Sequence, residues 1–160
     1  NKVVKLEGHG DSNYCPVTPG LIISLSDIDT YKDTFPDWEV VYLPDSEFEN
    51  TKKFEASMRK NKGRWFLPNF EKVPGLVETV DYYFNDWLGQ VSETVFDLNI
   101  LVVDPKNIIV SSYNDQVADA CNRYGIEMHV SPFRHKYFWD AGIHCVTNDL
   151  NRVGKKQKFL

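Results

Sequence analysis

Two segments of this chain carry residue types that could do covalent chemistry together. One is the run Phe138-Trp139-Asp140-Ala141-Gly142-Ile143-His144-Cys145-Val146-Thr147-Asn148-Asp149-Leu150, and the other is His9-Gly10-Asp11 near the opposite end. A free thiol titrates near a pKa of about 8.5 and is only slightly ionised at neutral pH, so a cysteine nucleophile needs a base or cation beside it. Cys145 reads as the nucleophile, and His9, with Asp11 two positions on, as the partner it needs. A protonated His9 close to the sulfur would lower the thiol pKa. Histidine and cysteine of such a pair are commonly distant in sequence and joined by the fold.

The elements that must join them show an internal repeat. Tyr14-Cys15-Pro16-Val17 and Leu21-Ile22-Ile23-Ser24-Leu25 read as two strands around the turn pair Pro19-Gly20, followed by a polar stretch over 27–34 and a third strand, Glu39-Val40-Val41-Tyr42-Leu43. The order is ββαβ. It recurs with Ile100-Leu101-Val102-Val103, a turn at Asp104-Pro105-Lys106-Asn107, Ile108-Ile109-Val110-Ser111, a helix over 114–124 and Ile126-Glu127-Met128-His129-Val130. Asn114 is the expected cap of that helix, Asp115 suits its positive end, and Gly125 stands where a C-terminal cap would. A strand over 143–147 would open a third module.

Residues 1–160 thus read as one α/β domain or as the C-terminal part of one, with modules at 13–43 and 99–131, an insertion over 44–96 and the start of a further module over 142–160. Within the insertion, 45–62 is charged and expected to be a surface helix, and 62–69 a covering loop. Leu76, Val77, Val80, Phe84, Trp87, Leu88 and Val91 recur at helical spacing, the stripe of a helix packed on a sheet. A repeated unit of alternating strands and helices packs its modules side by side. Asp97 and Asn99 hold in one module the place that His9 and Asp11 hold in the other. Modules set round an axis would bring these positions and Cys145 into one cleft.

Composition narrows the partners. The 160 residues carry 18 Lys plus Arg against 23 Asp plus Glu, a net charge of −5, which disfavours a phosphate backbone as partner. No nucleic acid is expected; a small polar substrate is. The basic tail with Arg152, Lys155, Lys156 and Lys158 reads as a solvated face. Cys15, Cys121 and Cys145 are too few and too irregularly spaced for a disulfide framework or a metal site, so no metal is expected. Cys121 falls on the packed face of the second helix, with Val117, Ala118 and Ala120. No apolar run reaches the ~20 residues of a membrane-spanning helix and the first residues lack a signal-peptide core, so a cytoplasmic location is expected. The first residue is Asn, not Met, and a longer chain is expected.

The segment from Phe133 to Arg152 resembles the nucleophile motif of the amidinotransferases, relatives of arginine:glycine amidinotransferase in the guanidino-group-modifying superfamily. His9-Gly10-Asp11-Ser12-Asn13-Tyr14-Cys15-Pro16-Val17 is similar to the His-x-Asp segment of that family, and Ser111-Ser112-Tyr113-Asn114 also looks familiar. The resemblance covers most of the chain outside the insertion. The Thr147-x-Asp149-x-x-Arg152 tail leans to transferases over hydrolytic deiminases.

The resemblance implies a pentein fold, an α/β propeller of five ββαβ modules, of which about two and a half are present here. It implies attack by Cys145 on the guanidinium carbon of an arginine-like donor, His9 as acid and then base, Asp11 as the carboxylate that orients His9 or holds the guanidinium, and transfer of the amidino group to an amine such as glycine. No cofactor is implied. Asp97, Asn99, Asp140 and His144 are the expected substrate-binding residues, since carboxylates match the paired donors of a planar guanidinium. The aspartate that the family places upstream of its histidine has no counterpart here, and Ala141 stands where relatives often have glycine. A chain short of modules is expected to form a homo-oligomer or to join a missing N-terminal portion. A guanidine-hydrolysing deiminase and a non-catalytic shortened pentein are the alternatives. A papain-type hydrolase fits poorly, because its cysteine begins a helix.

Overall fold

A computed structural model describes residues 9–28, 30–44, 93–133 and 141–154, together with 52, 53, 56, 73–76, 78, 79, 82 and 136. A 3-10 turn at Gly10–Ser12 leads into β1 (Tyr14–Thr18), β2 (Leu21–Ser24), the one-turn helix α1 (Tyr31–Thr34) and β3 (Glu39–Tyr42). Then come α2 (Glu93–Leu98), β4 (Leu101–Asp104), β5 (Asn107–Val110), α3 (Asp115–Tyr124) and β6 (Glu127–Val130).

These strands form two three-stranded sheets, β1-β2-β3 and β4-β5-β6. In each, the first pair is antiparallel and the second parallel. Even an irregularity repeats, falling between Pro16 and Thr18 in one hairpin and between Val102 and Asp104 in the other. The β1–β2 turn needs Gly20, whose φ is 94° and whose carbonyl accepts a 2.9 Å hydrogen bond from the Tyr124 hydroxyl. A tight turn of one unit is thereby tied to the helix of the other.

Helix α3 sits where its end signals put it. The Asn114 side chain accepts from the Gln116 and Val117 amides at 3.0 and 3.3 Å, and Gly125 closes the helix with a left-handed φ of 62°. Its apolar face, Val117, Ala120 and Cys121, shares one core with Val17, Leu21, Ile23 and Leu43 of the first unit and Leu98, Ile100, Ile108 and Val110 of the second. Burial of each larger aliphatic side chain is worth about 1.5–3 kcal/mol, which makes this shared core the main bond between the sheets. The hydrogen bond from Thr18 Oγ1 to the Pro105 carbonyl (3.2 Å) and the exposed Arg123–Glu39 ion pair add less.

Three expectations change. Residues 143–147 are a turn and not a strand: the amide and hydroxyl of Thr147 both donate to the His144 carbonyl, at 3.0 and 2.9 Å. The polar stretch over 27–34 yields only the single turn of α1. The end of the insertion forms α2, which delivers Asp97 and Asn99 to the second unit. The stripe expected over 76–91 lies outside the described residues except for Leu76, as does the loop over 62–69, and of 45–62 only residues 52, 53 and 56 are described.

Candidate active site

Each unit's first strand is preceded by a short helical segment, and the site forms where the two segments approach. The 3-10 turn is held by hydrogen bonds from Ser12 N to His9 O (3.2 Å), Asn13 N to Gly10 O (3.1 Å) and Asn13 Nδ2 to His9 O (2.7 Å). This places Asp11 just ahead of β1. The last turn of α2, closed by Asn99 N to Val95 O at 3.0 Å, places Asn99 just ahead of β4.

Asn99 is 1% exposed, and both ends of its amide are satisfied. Its Oδ1 accepts from the amides of His144 (2.8 Å) and Cys145 (3.1 Å). Its Nδ2 donates to Cys145 Sγ at 3.1 Å and to the Asp11 carbonyl at 3.2 Å. Gly142 packs flat on the same side chain, since a Cβ there would fall 2.4 Å from Asn99 Cβ. Two amides captured by a side chain cannot join a strand ladder, which explains the turn at 143–147 despite its β-branched residues.

The functional groups converge on one carboxylate oxygen. Asp11 Oδ2 accepts from Cys145 Sγ at 3.2 Å and lies 3.0 Å from His144 Nδ1. Burial alone would raise the Asp11 carboxyl, but hydrogen bonds from His144, Cys145 and Asn99 and the nearby imidazole charge outweigh it and hold the group below its usual range. Cys145 is pushed upward, first by burial and then by the Asp11 hydrogen bond and charge; the Gly142 backbone and Asn99 pull the other way without reversing it. The expected cation beside the sulfur is thus replaced by an anion, and the described arrangement holds a neutral thiol. Cys145 is solvent-exposed. Burial pushes the Cys15 thiol up to about 12 and raises Cys121, which lies within the core.

Of the expected site residues, Asp11, Asn99, His144 and Cys145 come together. His9 is exposed, and among the described residues its imidazole makes no hydrogen bond or ion pair; the imidazole on Asp11 is that of His144. Asp97 is turned to α3, accepting from Ser112 Oγ and from Asn114 Nδ2 (3.0 Å). Asn99 is committed to the turn that bears Cys145, with no amide group left over for a substrate. Asp140 lies outside the described residues.

A cavity of about 370 Å³ adjoins the site, lined by Asp11, His144, Tyr14, Leu98, Ile100 and Arg152 among others. Arg152, the first residue of the basic tail, pairs with Asp149 and donates from Nη2 to the Val102 carbonyl at 2.8 Å, which folds the segment after Cys145 back along β4. The Asp149-x-x-Arg152 spacing was the available signal. Among the described residues no three His, Cys, Asp or Glu side chains converge as metal ligands would, and no helix is long and apolar enough to cross a membrane.

No protein-family model matches the chain. It is 20% identical over 153 residues to the L-arginine:L-lysine amidinotransferase of Pseudomonas savastanoi pv. phaseolicola, a match covering 95% of this chain and 33% of that protein. Among solved structures, it superposes on SxtG, an amidinotransferase of the saxitoxin biosynthetic pathway from Microseira wollei, with a TM-score of 0.55 and 18% identity, over 96% of this chain and 34% of that one. It superposes on the inosamine-phosphate amidinotransferase StrB1 from Streptomyces griseus with a TM-score of 0.61 and 18% identity, over 98% and 36% of the respective chains. The chain spans about a third of the length of these relatives. In sequence and in fold, this chain is similar to amidinotransferases.

Proposed function

We propose that this chain supplies the nucleophile end of an enzyme that transfers an amidino group from an arginine-like donor to an amine. The observation that carries this reading is the placement of Cys145 Sγ 3.2 Å from the carboxylate of Asp11, which with His144 lines the adjoining cavity. A guanidinium is a planar cation with paired donors, and a carboxylate next to the attacking atom holds it with its carbon facing the sulfur. Acyl transfer fits less well. It calls for N–H donors aimed at a developing oxyanion, and the amides of His144 and Cys145 are already taken by Asn99.

Arrival of the cation offsets the Asp11 charge that keeps the thiol protonated, so ionisation is coupled to substrate binding. The thiol proton passes to an imidazole, and the sulfur forms a C–S bond to the guanidinium carbon. The C–N bond to the donor amine then breaks as the imidazole returns the proton to the departing nitrogen, since an unprotonated amine leaves poorly. In the second half the acceptor amine attacks the same carbon and gives a proton to the imidazole. The C–S bond breaks, and the sulfur takes back its proton. We assign this proton transfer to His9, exposed and two residues from Asp11, and the holding of Asp11 to His144.

The larger frame belongs to the same proposal. The two ββαβ units and the segment from 142 onward form part of a five-unit pentein ring, in a cytoplasmic enzyme. The remaining units come from an N-terminal portion or from further copies. Coverage of about a third of each amidinotransferase relative supports this.

The test is incubation of the full-length protein with arginine, with and without glycine or lysine. Ornithine together with the amidinated acceptor is the expected product pair. Citrulline in place of ornithine would mean hydrolysis, and the absence of both would refute guanidino chemistry at this site.

A further inference from the structure

We infer that Asn99 is the positioning residue of the nucleophile: it fixes where the Cys145 sulfur sits and stabilises that sulfur whenever it carries negative charge. The inference rests on the proposed role of Cys145 and replaces the expectation that Asn99 binds substrate.

Four contacts carry it. Oδ1 accepts from the amides of His144 and Cys145, which locks the backbone on both sides of the Cys145 nitrogen. Nδ2 donates to Sγ at 3.1 Å and to the Asp11 carbonyl at 3.2 Å, so one amide group spaces the sulfur from the segment bearing its carboxylate partner. The side chain is 1% exposed, which excludes water as a competing donor. Gly142 completes the seat, because any Cβ there would overlap Asn99.

The chemical consequence follows from the two directions of these bonds. Asp11 can only accept from the sulfur when ionised, and thereby favours the thiol; Asn99 Nδ2 can only donate, and thereby favours the thiolate. The sulfur is an anion twice in the cycle, before attack and on expulsion by the acceptor amine. It is a neutral thioether between these points, a weak acceptor for Nδ2. Asn99 therefore favours the charged states at both ends of the covalent intermediate and lowers the cost of forming and discharging it.

The test uses alkylation of Cys145 in the full-length protein, followed by mass spectrometry across pH, with Cys15 and Cys121 as internal reporters of an intact core. Asn99→Asp keeps the acceptor oxygen and the shape but removes the donor to sulfur and adds negative charge. Its expected effect is a rise of about one pH unit or more in the midpoint of Cys145 alkylation. An unchanged midpoint with the core cysteines still protected would overturn the inference; because the added charge raises the midpoint by itself, the charge-neutral Gly142→Ala must raise it as well. Should Asn99→Asp expose Cys15 and Cys121, Gly142→Ala decides. It displaces Asn99 without altering its chemistry, so the midpoint should again rise, and an unchanged midpoint would refute the role. Alkylation requires no guanidino substrate, so the outcome is separable from success or failure of the amidinotransfer reading.

Discussion

Replacing Asp11 with asparagine should make Cys145 a better nucleophile toward a small alkylating agent and a worse catalyst. Asp11 Oδ2 lies 3.2 Å from Sγ and opposes ionisation both as acceptor and as charge. At that distance two unit charges interact by about 1.3 kcal/mol in a water-like medium, the appropriate limit for so exposed a sulfur. That is roughly one pH unit in the thiol midpoint and a tenfold gain in thiolate below it. A less basic thiolate is intrinsically less nucleophilic, with a Brønsted slope of about 0.4–0.5, which returns about a factor of three. The net expectation is alkylation about threefold faster well below the midpoint, with the midpoint itself moved down by about one unit. Burial remains in the variant, so the thiol does not fall to an acidic value. The assay is iodoacetamide labelling resolved by peptide mass spectrometry from pH 6 to 10. Amidinotransfer by the same variant should fall by ~10²-fold or more, as a positioning group is lost. Slower labelling or an upward midpoint would show that Asp11 activates the sulfur directly, and the coupling of ionisation to substrate binding would be wrong.

Two further outcomes separate roles and assembly. His9→Ala should slow both formation and discharge of the covalent intermediate by about 10²-fold or more, whereas His144→Ala should act mainly through a misplaced Asp11 and raise KM more than it lowers kcat. Single-turnover kinetics distinguish them, and equal slowing of both half-reactions in His144→Ala alone would move the acid–base role to His144. In light scattering after size-exclusion chromatography the 160-residue chain should associate with itself or with an N-terminal portion; a monodisperse monomer with full transfer activity would refute the partial-ring proposal.

The strands and α3 were legible because their signals are local. Short apolar runs bounded by turn residues mark the strands, and Asn114 and Gly125 bracket α3 by chemistry that needs no distant partner. That Cys145 and Asp11 share one site was legible by residue type, since a thiol and a carboxylate are the groups singled out for chemistry, and the structure brings them within 3.2 Å. What hid was whatever depends on approach between segments. Ile143, Val146 and Thr147 have strand-like side chains, yet Asn99, 46 positions from Cys145, takes the amides a strand would use. The same contact turns Asn99 from an expected substrate ligand into a buried support, and nothing near it in sequence reports that. His144 adjoins Cys145 in sequence, and only the turn between them and Asp11 decides which imidazole meets the carboxylate.

A covalent amidino intermediate on Cys145 is the step on which the rest of the proposed mechanism depends. Intact-mass analysis of the full-length protein quenched soon after mixing with arginine, without acceptor amine, addresses it directly. A mass gain of one amidino group is expected, located at Cys145 by peptide mapping, discharged on addition of an acceptor amine and absent from Cys145→Ala. An adduct of undiminished yield in Cys145→Ala, or rapid amidinotransfer with no adduct at any quench time and with activity retained by that variant, would contradict it.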